Sequence, residues 1–192
     1  KSFYANYEDV VQSFYSEMNK MKVNHKRTVR DAIGDLPKIL PLKSDNRASH
    51  EVTHIFTEHT PRFHNERDIK IFKLLASDIQ TGSNKYASIE ALKKVYKRFT
   101  NRESSVHKYH VLRWDEPSNT IPAHLHKDGL RHIHPDPEQA RSITVREAAR
   151  LMTFPDDYVL HGKNGAKYKM LGNAVPPLFS EVMGNAIRSV LS

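Results

Sequence analysis

Residues 141–177, RSITVREAARLMTFPDDYVLHGKNGAKYKMLGNAVPP, constrain this chain more than any other stretch, because they fix where two helices start and where one must stop. Thr144 followed three residues later by Glu147 is a capping box, in which each side chain satisfies a backbone N–H at a helix start. Val145, Ala148, Ala149 and Met152 then fall at i, i+3, i+4 and i+7, a narrow stripe of small apolar groups that lets another element pack close. Pro155 has no N–H to donate and disfavours the α region at Phe154, so the helix ends there. A loop is expected next, closing in a tight turn at Gly172-Asn173-Ala174-Val175. Pro176 and Pro177 open a second helix, whose apolar face runs from Leu178 and Phe179 to Val190 and Leu191. A Gly-Asn turn at a helix start would present free backbone N–H groups to a carboxylate or phosphate. Periodicity by itself favours a plain reading, helix, loop and helix of ordinary core.

The 192 residues suffice for one domain with a proper core. No run reaches the eighteen or so apolar residues a membrane span requires, and KSFYANYEDVV lacks the apolar stretch of a signal peptide. Cysteine is absent, which excludes disulfides, thiolate metal ligands and a thiol nucleophile within this chain. A cytoplasmic home is the expectation. The net charge of +8 suits a polyanionic partner. Most of that surplus lies between Arg62 and Arg131.

Along the chain, Tyr7 to Met21 reads as an amphipathic helix and Lys22 to Arg27 as a basic connector. Thr28-Val29-Arg30-Asp31 is a second cap, opening a short helix that Gly34 and Pro37 end. Residues 38–50 read as a surface loop. Asp68 to Leu75 and Ser88 to Phe99 are further helices, separated by Gly82-Ser83-Asn84. From Val106 the pattern changes. Tyr109, Val111 and Trp114, then Thr120-Ile121, then Leu130 to Ile133 suggest strands, with Lys127-Asp128-Gly129 as a hairpin turn. The expected fold class is therefore α+β, mainly helical with a small antiparallel sheet.

His50-Glu51-Val52-Thr53-His54 matches the HExxH zinc-protease pattern letter for letter. Its β-branched Val52, Thr53 and Ile55 make poor helix material, and no third ligand stands at a recognisable spacing, so zinc proteolysis is only a remote alternative. His124, His126, His132 and His134 form two His-x-His pairs across the expected hairpin, and polar strand residues explain them better than a metal does.

The 141–177 block resembles the last two of the ten ordered motifs of DNA (cytosine-5) methyltransferases. The ninth looks like Arg141, Thr144, Arg146-Glu147, Ala149-Arg150 and Phe154-Pro155-Asp156. The tenth looks like Tyr168 followed by Gly172-Asn173-Ala174-Val175-Pro176-Pro177. Residues 117–141 and 28–37 also resemble stretches of bacterial members. The family's first eight motifs, including the Gly-rich cofactor turn and the Pro-Cys nucleophile, are not in the sequence.

The resemblance implies the C-terminal portion of such an enzyme. An N-terminal helix and connector (1–27) would precede a target recognition domain (28–140), and 141–192 would complete a Rossmann-like catalytic domain. The whole enzyme would transfer methyl from S-adenosylmethionine to C5 of cytosine in a specific duplex sequence, as in restriction-modification. This chain would be inactive alone and contribute no catalytic residue and no metal site. Asn173, Ala174 and Val175 would contact the amino-acid end of S-adenosylmethionine. Thr120 would contact a backbone phosphate, with His124, Lys127, Arg131 and Arg141 on the DNA side. Thr144, Arg146 and Glu147 would be structural, while Met152 and Met170 stand where many members carry glutamine. The implied partners are double-stranded DNA and a catalytic lobe, with no membrane. The alternative from a different class is a free-standing basic DNA-binding module.

Overall fold

A computed structural model describes residues 7–42, 48–52, 55–107 and 109–192. Residues 43–47 of the expected 38–50 loop, and Thr53 and His54 of the HExxH stretch, lie outside the described residues. Seven α-helices occur among those described: α1 (Tyr7–Lys20), α2 (Val29–Ile33), α3 (Glu66–Gln80), α4 (Ile89–Thr100), α5 (Val145–Leu151), α6 (Asn164–Asn173) and α7 (Pro177–Leu191). Two short 3-10 turns, Ala123–His126 and Gly129–Arg131, lie between α4 and α5. No described helix is long and apolar enough to cross a membrane.

Local caps set the helix starts. At α5 the Glu147 amide donates to Thr144 Oγ1 at 3.2 Å, and the Thr144 amide donates to Glu147 Oε2 at 2.7 Å. Thr28 and Asp31 make the same reciprocal pair at α2. Asn65 and Ser88 cap α3 and α4. Asn101 closes α4 in the left-handed region at φ 53°, which its short polar side chain tolerates.

Two hydrophobic cores result. The first gathers Val29, Ala32 and Ile33 of α2, Ala148 and Ala149 of α5, Tyr168 and Leu171 of α6, and Leu112, Ile121 and Leu125 between them. The small residues at 32, 148 and 149 let α2 and α5 approach closely. This core joins residues from both sides of position 140. The second packs Ile71, Phe72, Leu75 and Ala76 of α3 against Val95 of α4 and Tyr109, Val111 and Ile133. The α3–α4 loop is held by Asp78, whose carboxylate accepts from Ser83 Oγ and from the amides of Lys85 and Tyr86, each at 2.9 Å.

The expected antiparallel sheet is not formed. Among the described residues there are three isolated bridges, Pro41 with His50, Val111 with Ile133 and Ile133 with Ser142, and the middle one is parallel. Ile133 takes a partner on each side for a single residue. Pro135 and Pro137 follow at once and cannot donate to a ladder. Lys127-Asp128-Gly129 does not reverse a hairpin either, because 3-10 turns occupy both of its flanks.

The expected loop between the two C-terminal blocks is also corrected, since α6 occupies 164–173. Gly165 and Gly172 each disfavour a helix interior by about 1 kcal/mol, and only Tyr168 and Leu171 are buried. Hence no amphipathic stripe marks this helix. Gly172 and Asn173 form its last turn rather than a separate tight turn, and the Ala174 amide donates to the Leu171 carbonyl at 3.1 Å. The amides at 172–174 are therefore not the open anion cradle that a turn would provide.

Helix α7 lies along α1. Of its apolar face only Ala186 and Val190 are buried, while Leu178 and Phe179 are each 51% exposed and Leu191 76%. Helix α1 buries no residue completely.

A candidate nucleic-acid and cofactor interface

Residues 117–131 cross the front of the first core as an extended segment followed by the two 3-10 turns. Ile121 and Leu125 point inward and are buried, which leaves Thr120, His124 and Lys127 exposed. His132 Nε2 meets the Thr120 carbonyl at 3.2 Å, and Asn119 Nδ2 donates to the Arg131 carbonyl at 3.3 Å, so the segment is pinned at both ends. His124 and Lys127 stand three residues apart around a 3-10 turn, a spacing that puts them on one side. Arg131 is half-buried. Neither Lys127 nor Arg131 is ion-paired among the described residues, so both charges are available to an anion.

Helix α6 packs directly on this segment. A Cβ built on Gly172 would sit 2.2 Å from the Pro122 carbonyl oxygen and 2.7 Å from Ala123 Cα, so only glycine allows the contact. Asn173, next in sequence, is exposed at the end of α6. Ala174 continues as extended backbone at φ −80° and ψ 153°, and Val175 is exposed. The candidate cofactor residues and the segment carrying Thr120 are thereby brought side by side. Arg62 fastens the same junction. Its guanidinium lies 3.7 Å from the Tyr168 ring centroid and donates to the carbonyls of Leu125 at 2.7 Å and His126 at 3.3 Å. Tyr168 in turn donates to the Ile143 carbonyl at 2.8 Å.

Arg141 does not join the exposed group, and its expected place on the DNA side is corrected. It is fully buried, and its guanidinium grips both oxygens of Glu147 at 2.7 Å and the Gln139 side chain at 2.6 Å. Burial opposes ionisation of Glu147, but the charge and hydrogen bonds of Arg141 outweigh it and hold the carboxyl well below the usual range. Arg146 binds the Thr57 carbonyl at 3.0 Å and its hydroxyl at 2.8 Å, while its own amide donates to the Glu58 carbonyl. Arg150 bridges Asp156 and Asp35. The arginines of the ninth block thus staple distant loops to α5.

Histidines surround this ionic centre in neutral form. Burial, then Arg141, pushes His134 down to about 3, and burial, then neighbouring His50, does the same to His64. His132 is pushed down to about 4 by burial. His50 lies at an extended bridge, not on a helix, with its ring nitrogens 2.9 Å from Ser49 Oγ and from the Gln139 carbonyl. Both nitrogens are committed, which is unlike a zinc ligand.

Arg62 and the Gly172–Pro122 contact escaped the sequence reading. Gly172 is the one sequence signal for that contact, and in the sequence it is equally compatible with a turn.

The chain belongs to the C-5 cytosine-specific DNA methylase family, which it matches over residues 4–189. It is 35% identical over 196 residues to the type II methyltransferase M.Bpa9945I of Bacillus paralicheniformis, covering 92% of this chain and 43% of that protein. It is 30% identical over 203 residues to the putative type II methyltransferase M.OihORF3336P of Oceanobacillus iheyensis, covering 84% and 44% respectively. A DNA (cytosine-5)-methyltransferase of Arabidopsis thaliana is 31% identical over 179 residues, 85% of this chain and 12% of the plant protein. The chain thus spans less than half the length of these relatives.

Proposed function

We propose that these 192 residues are the DNA-gripping and cofactor-completing part of a restriction-modification cytosine-5 methyltransferase, with 28–140 as the target recognition domain. One observation carries the reading: a member of this family has no cysteine at all. Methylation at C5 of cytosine needs a thiolate to add to C6 of a base swung out of the duplex. That sulfur must therefore come from polypeptide outside these residues, and this chain alone is inactive.

S-adenosylmethionine supplies the electrophilic methyl group when bound. The exposed Asn173 side chain has no hydrogen-bond partner among the described residues, and extended backbone runs beside it at Ala174 and Val175. This fits one wall for the amino-acid end of the cofactor, and the remaining walls belong to the catalytic lobe. Thr120 presents a hydroxyl to a phosphate, and His124, Lys127 and Arg131 offer donors and positive charge beside it; such contacts set register without reading sequence. Arg141 acts from within, fixing α5, against which α6 packs.

In the methylation-competent protein, replacing Asn173 with alanine lowers affinity for S-adenosylmethionine about tenfold and changes duplex affinity by less than about threefold, the size of one lost polar contact. Equal effects on both ligands would refute the cofactor assignment. Duplex binding by the isolated chain is weak under this reading. Tight binding with a steep salt dependence would instead support a free-standing DNA-binding module.

A further inference from the structure

We propose that Arg62 is a positioning residue that ties the cofactor side of the chain to the DNA side, so that binding of either ligand strengthens binding of the other. The inference rests on the functional reading above. It begins with an asymmetry at the junction of α6 and the Ala123–His126 turn. Apolar packing there is close but non-directional, with Leu171 and Leu125 both fully buried. The directional contacts are made by Arg62, which belongs to neither element.

Its guanidinium carbon sits over the α6 ring of Tyr168, 3.7 Å from the centroid, and its nitrogens donate to the Leu125 and His126 carbonyls at 2.7 and 3.3 Å. The planar fork is suited to this double duty; a lysine ammonium has no face to stack and cannot span two acceptors in one plane. Nε of Arg62 is buried without a partner, so its hold is confined to these contacts. Five residues beyond Tyr168 stands Asn173, and five before Leu125 stands Thr120. Between them the Gly172–Pro122 approach leaves no room for the two segments to slide. A ligand that orders one segment therefore orders the other, and the second ligand meets a site already arranged. That is a coupling free energy between two sites, reciprocal by linkage.

The test uses the protein assembled with the polypeptide carrying the first eight motifs. Affinity for S-adenosylhomocysteine, the unreactive product, is measured with and without saturating duplex DNA. DNA tightens that affinity by about tenfold in the native protein, within the usual range of such couplings. In Arg62→Lys the factor falls below about twofold, with each single-ligand affinity changed less than the coupling and the melting transition still cooperative. Tyr168→Leu, which removes the ring face, has the same effect and serves if Arg62→Lys fails to fold. Tyr168→Phe keeps the face but loses the bond to Ile143, and it retains the native factor, so a general loss of stability does not mimic the result. A folded Arg62→Lys or Tyr168→Leu protein with native coupling overturns the inference while leaving the functional reading intact. If the assembled native protein binds neither DNA nor the cofactor product, the functional reading itself falls, and this inference with it.

Discussion

Two helices of this chain, one short and rich in charge and one long and apolar, meet opposite fates. Helix α5 has seven residues, and every position from Gln139 to Ala149 is buried, charged groups included. Helix α7 has fifteen, and only Ala186 and Val190 are buried. A short helix with its charges fully matched sits at the centre of the body. A long apolar helix lies along α1, with its first turn held by the Leu178 amide donating to Thr153 Oγ1. Burial here follows partnership rather than hydrophobicity: Arg141 is enclosed because Glu147 and Gln139 answer it, whereas Leu178, Phe179 and Leu191 stay half or more exposed among the described residues. Exposed apolar patches of that kind commonly mark interaction sites.

The widest separation between the two regions is expected on acidification. His64, His132 and His134 are neutral in the folded protein, with values of about 3, 4 and 3 against 6.5 when free. Below pH 6.5 the unfolded chain takes up these protons and the folded chain does not, so stability is complete above that pH and lost as it falls towards the folded values. Between pH 6.5 and 5 the loss is about 2 kcal/mol for each histidine, from about 1.4 kcal/mol per pH unit. A typical domain has about 5–15 kcal/mol in all, so denaturant midpoints should collapse near pH 5. A His134→Phe variant losing stability as steeply as the native protein would exclude that residue from the effect. Helix α7 holds no histidine and should not sense this range.

A smaller loss tests the junction between the regions. Gly172→Ala forces a methyl group against the backbone of Pro122, and overpacking of this kind costs about 3 kcal/mol. Chemical denaturation measures it, and a change below about 0.5 kcal/mol would mean that α6 does not press on residues 122–123. The smallest effect belongs to α7. Phe179→Ser should alter the stability of the isolated chain by less than about 0.5 kcal/mol, as surface substitutions do, while weakening assembly with the catalytic lobe. A large loss of stability in the isolated chain would show that the face is already covered.

The same contrast separates what is legible in the sequence from what is not. Thr144 with Glu147 and Thr28 with Asp31 are legible because a cap is satisfied within three residues. Asp68 to Leu75 marks only part of the helix at 66–80, whereas Ser88 to Phe99 matches the helix at 89–100 almost throughout. Strands are not fixed so locally: Val111, Ile133 and Ser142 have strand-like neighbours, yet each ladder stops after one residue because proline and 3-10 turns flank it. Helix α6 lacks a stripe, since its buried pair is only Tyr168 and Leu171. Arg62 carried no signal, because its partners lie 63, 64 and 106 residues away. Arg141 misleads for the complementary reason, as a charge is read as surface until its buried carboxylate is known. Of the candidate site, Thr120, His124, Lys127 and Asn173 are exposed as a contact role requires, and what joins them had to come from coordinates.

Under the proposed function this chain completes an enzyme whose sulfur nucleophile lies on other polypeptide. This claim is tested most directly by mixing the purified chain with a polypeptide carrying the family's first eight motifs and following labelled methyl transfer from S-adenosylmethionine to duplex DNA. Neither component alone should transfer methyl, and the mixture should, with transfer abolished by replacing the partner's motif cysteine. Methylation by this chain unaided, or failure of any such partner to associate with it, would contradict the claim.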